Sequence, residues 1–500
     1  MQIEGRRRWL AFWILCTGTL MIVLDTTIVN VALPSIQTDL HFSETSLVWV
    51  VNAYMLTFGG FLLLVGRLGD IYGHRFIFLA GLALFTLASL ACGVANTQGL
   101  LIAARAAQGV GGAVVDAVSL SLIMMLFTEP GERARAMGVY GFVCAGGGSL
   151  GVLLGGLLTD SLGWHWVFLV NIPIGMALYV LCLALLPRDR GRNQQGPLDV
   201  GGAITVTLSL MLAVYAIVNG NATGWASIQT LVLLGAASLL FAAFLFIQAR
   251  VRSPLMPLSF FRVRSLNVAG IAGGLWAAAM FAWFFICALY LQRVLGYTPL
   301  EIGLAFLPTN LIMAACSLGL SAKLVLRFGI RAPLAAGLAM EAIALALFAR
   351  APLGGDFMID VLPGMLFMGF GAGIALNPIL LAAMSEVKPE DSGLASGIVN
   401  TAFMMGGALG LAALAAMADA RSDALLAAGT AQIAALNGGY QLAFVGGALF
   451  AGVAAVMSAV LLPASSEHRG KAAENTSPSA EARTTACSAR RCPTEAGTSS

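Results

Sequence analysis

Residues 9–33 read WLAFWILCTGTLMIVLDTTIVNVAL, and this run decides the fold. Apart from Asp25 it is uncharged, and its length exceeds the roughly 20 residues a helix needs to cross a bilayer. An ionised carboxylate is costly at membrane depth, so one kept there binds something, carries a proton or has a partner. Arg6, Arg7 and Arg8 precede the run, as in a signal peptide. The stretch is too long for a signal core and ends without an Ala-x-Ala site, so it reads as an uncleaved first span.

The remainder has the same character. Of 500 residues, 59% are hydrophobic and 10% charged, with a mean hydropathy of +0.88. A soluble domain has nowhere to hide that much apolar surface, which predicts an all-α polytopic membrane protein. Fourteen spans are expected, near 9–33, 46–65, 77–96, 99–126, 136–158, 164–186, 199–218, 227–249, 267–290, 299–321, 332–350, 359–382, 393–416 and 439–462. With both termini cytoplasmic, 18 of the 27 Lys and Arg fall in cytoplasmic segments and five more in residues 464–500. Only Arg293, Arg350 and Arg421 fall outside, and Arg105 lies within a span. That bias sets the expected orientation. Arg outnumbers Lys 24 to 3, amid abundant Ala and Gly, which hints at a GC-rich genome; the expected location is the bacterial plasma (inner) membrane.

The eight cysteines carry no metal spacing: six lie singly in apolar helices, and Cys487 and Cys492 lie in the tail. Residues 464–500, rich in Ser, Thr, Ala and Glu, read as a disordered cytoplasmic tail.

An internal echo organises the spans. Gly66-Arg67-Leu68-Gly69-Asp70-Ile71-Tyr72-Gly73-His74-Arg75 follows the second span. Ala322-Lys323-Leu324-Val325-Leu326-Arg327-Phe328-Gly329-Ile330-Arg331 follows the tenth. Aligned on Gly73 and Gly329, both have a basic second residue, Leu third, an aromatic before the Gly and a final Arg. The expected division is therefore a six-helix half at 1–197, two inserted spans with a cytoplasmic loop at 198–265, a second six-helix half at 266–463, and the tail. Repeated halves around a midplane cavity are a transporter architecture.

The motifs add a resemblance. Leu24–Pro34 is similar to the first-span motif of the fourteen-helix drug:proton antiporters (EmrB/QacA type) of the major facilitator superfamily, and Gly66–Arg75 to the superfamily's loop motif. The stretch Arg105 to Ala113, with Gln108, Gly109, Gly111 and Gly112, resembles the fourth-helix motif. Trp164 to Gly175, with Asn171 and Pro173, resembles the entry to the sixth, and Tyr290 to Gln292 the end of the ninth. The resemblance spans about residues 10–463 and implies the major facilitator fold with alternating access, no cofactor and the proton gradient as driving force. It implies as partners a hydrophobic or cationic drug, protons and the bilayer, with a monomeric chain and no nucleic acid. In one place the chain departs: the fifth-helix motif has Gly-Pro in its core, whereas here Val152 stands at the proline position. Gly147, Gly151 and Gly155 still form a small-residue stripe for close helix contact.

Asp25 and Arg105 count to comparable depth, about 13 and 10 Å below the outer surface. By resemblance both helices border the central cavity. Desolvation favours a neutral acid and a nearby cation favours a carboxylate, so Asp25 is the candidate proton carrier with Arg105 as modulator. A fixed structural ion pair is the alternative. Asp116, three helical turns beyond Arg105 with Gln108 near the same stripe, is a second proton or substrate-attracting site, or else a helix-to-helix anchor. Asn30, Asn310, Asn377 and Asn400 are further cavity candidates, with interhelical bonding as their other reading. The aromatic ninth span, with Trp276, Phe281, Trp283, Phe284, Phe285 and Tyr290, suits planar or cationic molecules or plain packing. Asp70 between Arg67 and Arg75 suits a gate that makes and breaks ion pairs, on a loop turned by Gly66 and Gly73. Glu341 is a mid-span acid with no evident task, and no metal site is expected.

Four scattered His without a nucleophile or metal motif exclude most enzymes. An asymmetric charge set is unlike the polar ring of a channel. The expected function is proton-coupled drug export; the alternatives are a dedicated exporter of one metabolite (an antibiotic, lipid or siderophore) and a non-transporting membrane sensor or structural protein.

Overall fold

The computed structural model describes residues 5–127, 129–186, 199–251, 254–256, 258–387 and 392–462. The tail at 464–500 lies outside them. Fourteen long helices follow in order: α1 Gly5–Asp39, α2 Glu44–Tyr72, α3 His74–Gly93, α4 Gln98–Leu126, α5 Pro130–Leu162, α6 Trp166–Leu185, α7 Val200–Thr223, α8 Ile228–Arg250, α9 Arg264–Arg293, α10 Pro299–Phe328, α11 Arg331–Phe348, α12 Phe357–Met384, α13 Ser392–Ala427 and α14 Gln432–Leu461. No strand occurs among the described residues. A helix satisfies its own backbone polar groups, which hydrocarbon cannot.

Several boundaries depart from the sequence reading. Pro34 does not end α1, which runs on to Asp39. A proline removes one backbone hydrogen bond, and packing in a bundle tolerates that loss. A depth for Asp25 counted from Pro34 therefore starts at the wrong residue. The segment Gly66–Arg75 is also not a loop. It is helix on both sides of Gly73, whose φ of 93° supplies the turn. Gly329 plays the same part at φ 76° between α10 and α11. The turning role expected of Gly66 thus falls to Gly73 alone, because Gly66 lies within α2.

The echo has a three-dimensional counterpart. Gly81 and Gly337 stand eight residues after the two hinge glycines. A Cβ on Gly81 would run into Val114 and lie 3.4 Å from the Gly111 carbonyl oxygen; one on Gly337 would lie 2.9 Å from that of Gly371. Conversely, a Cβ on Gly111 would lie 2.6 Å from the Phe85 backbone nitrogen, and one on Gly371 2.8 Å from that of Glu341. So α3 crosses α4 as α11 crosses α12, backbone against backbone, at matching glycines. Helix pairing repeats with a shift of eight: α1 packs on α5 as α9 on α13, and α2 on α4 as α10 on α12. Two pairs exchange under that shift, α5 with α10 and α2 with α13, and these form the seams between the two sets. The inserted helices α7 and α8 pack on each other, and α7 lies against α2 and α13.

Candidate functional site

The charged centre is assembled by four residues on three helices. Arg105 on α4 donates from Nη1 to Asp25 Oδ2 on α1 at 2.6 Å. Gln108, one turn further along α4, donates to Asp25 Oδ1 at 2.7 Å and accepts from Arg105 Nη1 at 2.7 Å. Asn171 on α6 donates to the same Oδ1 at 2.9 Å. Asp25 thus accepts from three donors and is 0% exposed, with Arg105 at 2%. The guanidinium is held further by Nε donation to the Val50 carbonyl at 2.9 Å and lies 4.4 Å from the Tyr54 ring centroid. Gln108 also donates to Ser89 on α3 at 2.8 Å. Five helices, α1, α2, α3, α4 and α6, are therefore tied through one carboxylate.

Local sequence explains why these groups meet. Gln98 at the start of α4 donates to the Leu40 and His41 carbonyls just past α1, which levels those two helix ends. Trp164 donates to Asp39 at 2.9 Å and docks the entry of α6 on α1. Val170 keeps helical backbone angles and donates to the Trp166 carbonyl at 3.1 Å, and Asn171, the next residue of α6, is aimed at Asp25. On α1, the face away from Asp25 meets α5: a Cβ on Gly147 would lie 2.9 Å from Leu20 Cδ1, one on Gly151 3.0 Å from the Leu24 carbonyl, and one on Gly155 2.6 Å from that of Ile28. The small-residue stripe is what lets α5 lie on α1. Val152, on another face, backs α10, and the helix holds unbroken through it.

The other singled-out residues are dispersed. Gln108 belongs to the sealed network and lines no open space. Asn30 is buried and donates to its own helix at Thr26, and Asn310 to its own helix at Phe306. Asn377 bridges helices, donating to the Ser317 carbonyl at 2.7 Å; Asn400 is half-buried on α13. Half-buried Asp116 accepts from the Tyr140 hydroxyl on α5 at 3.3 Å. Trp276 packs on Phe403, while Trp283 meets Phe284, Phe306 and Phe348, so these aromatics of α9 are interhelical core. Arg75 donates to the Leu183 carbonyl at 2.7 Å, whereas the side chains of Arg67 and Asp70, and with them the gating ion pairs, lie outside the described residues. Glu341, where the first half has Phe85, is fully buried, and neither carboxylate oxygen has a hydrogen-bond partner among the described residues. Among those residues no group of three potential metal ligands occurs.

Asn171, Ser89 and Tyr54 join the site although neither charge nor spacing along the chain marks them. Asn171 alone had a signal, since it stands inside the stretch from Trp164 to Gly175 that resembles a family motif; Ser89 and Tyr54 are ordinary span residues until the helices are assembled.

The family described as Major Facilitator Superfamily matches residues 15–411. The chain belongs to the major facilitator superfamily. It is 38% identical to the puromycin resistance protein pur8 of Streptomyces alboniger, over 94% of this chain and 93% of that one. It is 37% identical to the cephamycin export protein CmcT of Amycolatopsis lactamdurans, over 89% and 91%. The multidrug resistance protein Stp of Mycobacterium tuberculosis is 36% identical over 82% of this chain and 75% of its own length. Among solved structures, a bacterial homolog of the human lysosomal transporter Spinster, inward-facing and occupied, superposes with a TM-score of 0.66 at 16% identity, covering 91% and 97% of the chains. That last likeness concerns the fold. As a superfamily member the protein is a multi-pass membrane transporter and not an enzyme.

Proposed function

We propose that this protein exports small hydrophobic or cationic organic molecules, antibiotics among them, from the bacterial cytoplasm in exchange for protons. The substrate class rests on full-length similarity to relatives named for antibiotic resistance and export. The coupling rests on one observation: a carboxylate sealed inside the first half, against a guanidinium, at the crossing of α1, α4 and α6. Every partner of Asp25 is supplied by that half, so the acid can exchange its partners without contact from the second half. Asp25 is the proton carrier in this reading, and Arg105, Gln108 and Asn171 set how strongly it holds the charged form. Asp116, beside Tyr140 and further along α4, offers a second polar station.

The moving units are the two six-helix sets, rocking on the seams α5–α10 and α2–α13. Both termini are cytoplasmic on the strength of the charge bias, the chain acts as a monomer, and no cofactor is needed. The side on which α1 ends is then the outer side, and near it α5 and α10 touch: a Cβ on Gly156 of α5 would lie 2.7 Å from the Pro299 carbonyl at the start of α10.

The test is transport in inside-out vesicles. An imposed proton gradient should drive accumulation of a fluorescent cationic dye, an uncoupler should abolish it, and Asp25→Asn should remove the gradient dependence. Gradient-driven transport by a folded Asp25→Asn protein would reject the assignment.

A further inference from the structure

An apolar cavity of about 280 Å³ lies away from the charged centre, between the inserted helices and the α2–α13 seam. Phe241 and Phe244 of α8 form one wall, Gly59 and Gly60 of α2 with Met405 of α13 the opposite one. Its volume falls just below the roughly 300–1,000 Å³ of drug-sized ligand sites. Among the described residues its polar lining side chains are Asn267 and Thr401, neither ionisable, and the Thr401 hydroxyl already donates to the Gly59 carbonyl at 3.2 Å. Phe241 and Ile271 both line it and are half-exposed on apolar membrane-length helices, so the slot reaches the surface that a bilayer would cover.

The floor is built rather than incidental. Buried Asp199 caps α7 through the Gly202 N–H at 2.8 Å and accepts from buried Gln248 at 2.5 Å. Gln248 in turn accepts from the Met256 N–H at 3.0 Å. This chain of bonds draws Leu255 and Met256 under the cavity, and Leu255 packs with Leu64 and Ala203. The same connection carries exposed Arg262, two residues past lining Phe260, and exposed Arg264, two before lining Leu266, while Arg250 ends α8. An apolar slot open to the bilayer, with cations at its cytoplasmic rim, complements one molecule class: a chain with an anionic head.

We propose that the inserted pair α7–α8 builds a binding site for an anionic phospholipid of the cytoplasmic leaflet. One acyl chain fills the cavity and the phosphate lies against Arg262 and Arg264. A lipid seated there would back the α2–α13 seam directly, at Gly59 and Met405.

The test is native mass spectrometry of the purified full-length protein with added phosphatidylglycerol or phosphatidylcholine. Phosphatidylglycerol should be preferred, and Arg262→Gln with Arg264→Gln should lower that preference by about fivefold per arginine, roughly 25-fold together. Gly270→Phe should cut binding of both lipids at least about tenfold, since a Cβ at Gly270 meets nothing within 4 Å and the ring has room to occupy the slot. Phosphatidylglycerol carrying a diazirine in its acyl chain should label Phe241, Phe244 or Met256 in the unaltered protein. Equal binding of the two lipids, unchanged binding by Gly270→Phe, or labels confined elsewhere would each overturn the proposal. So would labelling of those residues by a photoreactive transported dye but not by the lipid, which would make the slot a substrate site. All readouts are binding, so failed export leaves this inference standing and failed lipid binding leaves the export reading standing.

Discussion

Asp25→Asn is the perturbation with the most to say about the buried network. The wild-type carboxylate accepts from Arg105 at 2.6 Å, Gln108 at 2.7 Å and Asn171 at 2.9 Å. An asparagine can turn its oxygen to Gln108 and Asn171, but its amide then confronts the Arg105 Nη1, donor against donor. Arg105 keeps the Val50 carbonyl, the Gln108 oxygen and the Tyr54 ring, yet no anion remains within its reach. Breaking a buried pair by removing one partner costs about 3–5 kcal/mol. Arg105→Leu alone should cost a similar amount, leaving a buried carboxylate on two neutral donors. The double variant has no charge to strand, so it should lose several kcal/mol less than the sum of the singles, a coupling of at least about 2 kcal/mol.

Unfolding in detergent mixtures measures the three losses, and dye transport on the same preparations separates the roles. If the pair merely braces the first half, the double variant regains gradient-driven export along with its stability. If Asp25 carries the proton, the double variant is stable and uncoupled. A single-variant loss below about 1 kcal/mol, or strictly additive losses, would refute the claim that the network is sealed and mutually dependent.

Other sites give sharper local outcomes. Gly156→Leu should force α10 from α5, because a Cβ there already sits 2.7 Å from the Pro299 carbonyl and 3.1 Å from Leu300 Cα. Spin-label distances across the outer ends of α5 and α10 should lengthen, and drug export should fall. Gly111→Ala and Gly371→Ala should each destabilise by about 1–3 kcal/mol through overpacking against Phe85 and Glu341. Because they lie in different six-helix sets, their losses should add within about 0.5 kcal/mol, as read from detergent unfolding. Tyr140→Phe removes the hydroxyl donated to Asp116 and should alter the affinity for cationic dyes while leaving neutral substrates unchanged.

How far the sequence speaks depends on which force sets each feature. Bilayer thickness and the cost of bare backbone polar groups made the spans legible in residues such as those of 9–33. Exact ends were not, since α1 runs through Pro34 and α2 through Gly66: helix termination there is decided by tertiary packing, which local propensity does not encode. The contact of Asp25 with Arg105 was approachable because charges in apolar helices are few, so each has few partners to seek. Asn171 and Ser89 were harder, being polar groups of a common kind whose roles appear only when α3 and α6 close on α4. The aromatics of α9 show the reverse hazard. Their chemistry suits ligands, yet Trp283 and Phe284 pack onto Phe306, because a large apolar ring serves equally well between helices.

The glycines connect these observations to motion. At Gly111, Gly371, Gly156 and Gly303 the missing side chain lets backbones touch, so small shifts in helix position change contact fully rather than gradually. The crossings α3–α4 and α11–α12 each lie within one six-helix set, and their backbone-to-backbone contact at Gly81, Gly111, Gly337 and Gly371 stiffens that set. The Gly156–Gly303 contact lies between the sets, and there a stiff body can separate along one line. Asp25 sits inside a stiff body, on the face of α1 turned from the α5 stripe. A proton that reaches it must therefore loosen bonds to Arg105, Gln108 and Asn171, on α4 and α6, before it moves a seam. The order predicted is local release first and rocking second. Asn171→Ala, which removes one donor without stranding a charge, should then speed gradient-driven turnover or shift its pH dependence while leaving the outer-end spin-label distances of the resting protein unchanged; a change in those distances with no effect on turnover would place Asn171 in the seam's mechanics and not in the proton step.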